Sequence, residues 1–146
     1  MIYVGSDHGG FELKQHVTEY LKEKGLEFED CGTYSADSCD YPDIAETVAN
    51  KVVSDKGSFG ILVCGTGIGI SIAANKVKGI RAACCSDTFS ARYTRKHNDA
   101  NVLCFGGRVI GAGMADELID AFLESDFEGG RHAQRVAKIT NLENKE

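Results

Sequence analysis

The chain has 146 residues, enough for one domain and too few for two ordinary ones. Apolar residues at 42% and charged residues at 26% exclude a disordered chain, and no apolar run approaches the roughly 20 residues of a membrane span. Sixteen basic against 22 acidic side chains, a net charge of −6, argue against non-specific nucleic-acid binding.

Met1 to Val4 reads as a buried strand that begins almost at once, so no signal peptide is expected. Gly-Ser-Asp-His-Gly-Gly follows and opens an amphipathic helix. Leu13, Val17, Tyr20 and Leu21 share its apolar face, Lys14, Glu19, Lys22 and Glu23 are expected outside, and Gly25 ends it. Leu26 to Cys31 alternates like an edge strand. After a polar loop through Asp40, Pro42 suits the first turn of a helix running from Ile44 to Val53. Gly60 to Cys64 is a third strand, Gly65 to Gly69 a loop, and Ile70 to Val77 an Ala-rich helix. Strand four spans Ile80 to Cys85 and helix four Asp87 to His97, with Asp87 or Thr88 as its cap. Strand five is Asn101 to Phe105, helix five Gly113 to Leu123, and residues 131–140 form a last helix with a weak apolar face.

This alternation predicts one domain over 1–146: a Rossmann-like three-layer α/β/α sandwich with a five-stranded parallel sheet. Its expected strand order is 2-1-3-4-5. Ligands of such sheets bind beyond the carboxyl ends of the strands, at the switch point between strands one and three. Asp7 and His8 should therefore lie beside Cys64 and Thr66.

The loop from Cys64 to Ser71 is the most informative stretch. Glycines 65, 67 and 69 let backbone N–H groups turn inward and make a cradle for negative charge. The other reading is a tight turn around a buried cysteine. Ile70 defeats both a dinucleotide fingerprint and a Cys-x5-Arg phosphatase loop, and no Walker Gly-Lys-Ser/Thr is present. Six cysteines without C-x-x-C spacing suggest reduced thiols, mostly small buried hydrophobes, and no metal site. Only Cys64 has neighbours that ask for chemistry.

Asp7 and His8 either move protons and hold polar ligand groups, or serve as a helix cap and a solvated ring. From spacing alone, Asp40 reads as a turn former and Tyr41 as a packing residue. All six arginines lie after residue 80, as a local anion site would need. Arg131 and Arg135, four apart, present two planar forks suited to a phosphate; a salt-bridged surface helix is the alternative. Arg92, Arg95, Lys96 and His97 close helix four, where cations suit the helix dipole.

Six runs together resemble the B-type ribose-5-phosphate isomerases, a family that includes galactose-6-phosphate and allose-6-phosphate isomerases. They are Gly5-Ser-Asp-His-Gly-Gly-Phe-Glu-Leu-Lys14, Tyr41-Pro-Asp-Ile-Ala45, Cys64-Gly-Thr-Gly-Ile-Gly-Ile-Ser-Ile-Ala-Ala-Asn-Lys76, Gly79-Ile-Arg-Ala-Ala83, His97-Asn-Asp-Ala-Asn-Val102 and Phe127-Glu-Gly-Gly-Arg-His132. The resemblance implies isomerisation of ribose 5-phosphate to ribulose 5-phosphate without metal or cofactor, or the same reaction on a hexose 6-phosphate.

By the same resemblance Cys64 is the base, and the amides of Gly65, Gly67, Ile68, Gly69, Ile70 and Ser71 face the oxyanion. His97, with Thr66 and Asp40 or Asp7, opens the sugar ring. His8, Arg108, Arg131 and Arg135 grip the phosphate, and Tyr41 and Asn98 line the sugar. Cys64 and Ile70 place the chain in the cysteine branch of the family, as opposed to one with a glutamate at that second position. The resemblance further implies a cytoplasmic homodimer with shared active sites, the last helix docking on the partner subunit. Whether dimers pair into tetramers stays open.

Overall fold

The computed structural model describes residues 1–145. Five parallel strands are built as β1 (Ile2–Ser6), β2 (Phe28–Asp30), β3 (Phe59–Cys64), β4 (Ala82–Cys84) and β5 (Val102–Gly106). Six helices accompany them: α1 (Phe11–Glu23), α2 (Tyr41–Ser54), α3 (Ile68–Ala74), α4 (Thr88–Asn98), α5 (Ala112–Leu123) and α6 (Arg131–Glu143). None among the described residues is long and apolar enough to cross a membrane.

The strand order is β2-β1-β3-β5-β4, which corrects the expected position of the last two strands. The reason is burial. All five residues of β5 are buried, whereas the three of β4 are half-buried or exposed, as a short edge strand should be. Asn101 ties the two together: its N–H donates to Arg81 O, and its carbonyl accepts from Gly60 N on the other side.

Alternation along the central strands feeds two cores. Ile61, Val63, Leu103 and Phe105 face α1 and α5 through Val17, Leu21, Leu118 and Phe122. Leu62, Cys64, Val102 and Cys104 face α2 and α3 through Val48, Val52, Ile70 and Ala74. The helices after β1 and β5 thus lie on one face and the helix after β3 on the other. A crevice opens on each side of the end of β3, which places Cys64 between the loops leaving β1 and β5.

Helix α2 begins at Tyr41, three residues before the expected Ile44, and carries Pro42 in its first turn. Helix α3 begins at Ile68, inside what reads as loop. Lys14 is the second correction. It is only 1% exposed, its ammonium held by both Asp30 oxygens at 2.8 and 2.9 Å and by Thr33 O, with the Phe11 and Tyr34 rings nearby. The loop after β2 folds over that side of α1, so a face that simple periodicity assigns to solvent is roofed.

Candidate active site

Parallel pairing sets Ser6 beside Val63 and Cys64 beside Gly106, so three loops meet at the carboxyl end of the sheet. Asp7 N–H donates to Val63 O, and its carboxylate accepts from Gly10 N at 3.1 Å, capping the short turn before α1. His8 accepts from Cys39 N through Nδ1 at 3.2 Å, which fixes the ring and leaves Nε2 for other partners. Asp40 and Tyr41 open α2, and Asp40's carboxylate forms no capping bond there.

The Cys64 loop is built on close approaches. Gly67 has φ +80°, and a Cβ there would sit 2.6 Å from the backbone of Phe105. Across from it, a Cβ on Gly106 would lie 2.7 Å from Thr66. Gly107 N donates to Cys64 O at 2.8 Å and Arg108 N to Gly65 O at 3.0 Å, locking the two loops together. Gly67 N donates to Cys64 Sγ at 3.1 Å, so the buried sulfur has an amide donor to face negative charge. Thr66 accepts from Ile68 N, leaving the Gly69 and Ile70 amides of the first turn without intrahelical acceptors. Ser71 donates its hydroxyl to Ile68 O. The Arg108 guanidinium lies over Gly65, and the Tyr41 ring over Gly69.

Asp7, His8, Asp40, Tyr41, Cys64, the loop to Ser71 and Arg108 are thus brought to one end. His97, Asn98, Arg131 and Arg135 are not. Helix α4 starts above the carboxyl end of β4 and runs down eleven residues, about 16 Å, to the amino end of β5. His97 and Asn98 close it there, and Arg131 and Arg135 lie exposed on α6 beside it. Within one chain, the two halves of the expected site lie at opposite ends of the strands. Arg95 is structural: its guanidinium bonds Asp99 and Ala100 O and stacks on Phe59 at 4.8 Å.

Three of the six cysteines are buried: Cys64, Cys85 and Cys104. Burial pushes the Cys85 thiol up to about 12 and Cys104 well above its usual value, so both remain protonated packing residues. Half-buried Cys31 is pushed up to about 11, burial first and Glu29 second. Cys84 is exposed, against expectation, and its thiol reaches Thr66 O at 3.7 Å.

Sequence reasoning missed two neighbours of His97. Glu128 Oε1 lies 3.6 Å from His97 Nε2 and 3.5 Å from His132 Nε2, and the two rings stack. The four-residue separation of Glu128 and His132 was the one available hint, but Gly129 and Gly130 interrupt any helix across it.

The family model described as Ribose/Galactose Isomerase matches residues 2–139. Ribose-5-phosphate isomerase B of Escherichia coli is 51% identical over 142 residues, which are 97% of this chain and 95% of that protein. A solved ribose-5-phosphate isomerase B from Clostridium thermocellum superposes with a TM-score of 0.96 at 51% identity, covering 98% of this chain and 97% of the other. That of Mycoplasma genitalium, with bound ribulose-5-phosphate, gives 0.95 at 42% identity, covering 99% and 97%.

Proposed function

The chain belongs to the ribose/galactose isomerase family, and from that membership we infer that it interconverts ribose 5-phosphate and ribulose 5-phosphate. The observation that carries the substrate is near full-length similarity to ribose-5-phosphate isomerases, one of them holding ribulose-5-phosphate. The amide-cradled Cys64 sulfur supports the reaction type.

Ring opening comes first. O1–H loses its proton, the C1–O4 bond breaks and O4 gains a proton, leaving the aldehyde. His97, with Thr66 and Asp40 or Asp7, carries these transfers. The sulfur of Cys64 then removes the C2 proton, and the electron pair moves to O1 as an enediolate facing the Gly65–Ser71 amides. Return of the proton to C1, with transfer of the O2 proton to O1, completes the ketose. His8, Arg108, Arg131 and Arg135 hold the phosphate, while Tyr41 and Asn98 line the sugar. Each step is a proton transfer that side chains can perform without a cofactor.

Two copies assemble the site. The separation of Cys64 from His97 and Arg131 supports this, since one chain cannot bring them to one sugar. Phe89 is 66% exposed and packs at a tilt against Tyr93, which leads along α4 to His97. A two-fold pairing that lays α4 antiparallel to its mate sets His97 of one protomer near the Cys64 loop of the other. A cytoplasmic setting suits such a metabolic enzyme and its free thiols.

Solvent deuterium provides the test. Incubated with ribulose 5-phosphate in D2O, the protein is expected to exchange a C1 hydrogen, and Cys64→Ala to abolish that exchange while retaining sugar-phosphate binding. Turnover surviving in Cys64→Ala would count against the assignment.

A further inference from the structure

His97 is confined on several sides. Its ring lies against that of His132, centroids 4.1 Å apart and 11° from parallel, and meets Tyr93 at 4.9 Å. Glu128 contacts both imidazoles near their Nε2 atoms, and Glu128 N donates to Lys96 O, pinning this segment to the last turn of α4. A half-exposed histidine at a helix end ordinarily samples several rotamers. Here two rings and a carboxylate pack against it.

We propose that Glu128 and His132 are positioning residues for His97, fixing the plane of its ring for ring opening. This rests on the isomerase reading above. Burial pushes His132 below the usual imidazole range, with His97, Arg131 and Arg135 acting in the same direction and Glu128 only partly opposing them. His97 is the better solvated of the two stacked rings. The three ligand atoms lie within 4.8 Å of one another. Rings stacked at 4.1 Å with one carboxylate beside both Nε2 atoms hold one another in place.

Ribulose 5-phosphate cannot close to a furanose, because its C5 oxygen carries the phosphate. Exchange of its C1 hydrogen with D2O therefore requires the Cys64 chemistry without ring opening. Glu128→Gln preserves shape and removes charge, and Glu128 is 47% exposed, so the variant should fold. His132→Gln removes the stacking ring. On ribose 5-phosphate, both are expected to lose about tenfold or more in kcat with KM within roughly twofold of the parent. Exchange from ribulose 5-phosphate should stay within about twofold.

Unchanged kcat on ribose 5-phosphate in both variants overturns the proposal. So does an equal fall in turnover and exchange, or a KM rise shared by both sugars, which would mark a displaced α6 and its arginines. If the parent protein itself shows no exchange, the isomerase reading fails first and takes this inference with it.

Discussion

Arg131 and Arg135 carry their forks on one exposed face of α6, and neither guanidinium forms an ion pair among the described residues. A phosphate held there is gripped alike in ground and transition states, so its loss should appear in KM. Arg131→Ala and Arg135→Ala are each expected to raise KM about tenfold or more, with kcat little changed, in steady-state kinetics. An unchanged KM in both would make the pair mere surface charge. At this scale the sequence was readable where chemistry is local: Cys64, Gly67 and Asp7 stand where strand ends must put them. It was unreadable for Glu128 and His132, whose meeting with His97 depends on how the segment after α5 folds back onto α4. Cys84 was missed for a similar reason, since its approach to Thr66 follows from the position of β4 in the sheet.

Among the elements, β2 is the weakest, three residues on the edge with half-exposed side chains. Lys14 fastens it, reaching from α1 to the Asp30 carboxylate at its end. Lys14→Met removes the cation and leaves that carboxylate unpaired beside buried surface. We expect a loss of about 2 kcal/mol or more, read from the urea midpoint, and partial recovery when Asp30→Asn is added. Helical periodicity located α1 but misjudged Lys14, because the covering loop belongs to the tertiary structure. The same limit explains the exchanged places of β4 and β5. Both runs are short and apolar, and only their final burial shows which one the sheet needs inside.

On the scale of the whole molecule, the shared site proposed above makes an unusual demand. Mixing two inactive proteins, Cys64→Ala and His97→Asn, and letting them re-pair should restore activity, because one of the two sites in each mixed dimer then inherits only intact residues. Rate assays on the mixture, against each variant alone, measure it. No recovery after proven exchange of protomers would confine the reaction to a single chain. A groove of about 560 Å³ beside α6, lined by Arg81, Asn98, Ile139 and Leu142, lies at the far end from Cys64.

Helix α4 is thus a ruler as well as a crossover. Adding or removing one residue between Asp87 and His97 would swing the imidazole by about 100° and shift it about 1.5 Å along the axis. On the shared-site reading proposed above, this span is held to a fixed count by a reaction on the neighbouring molecule.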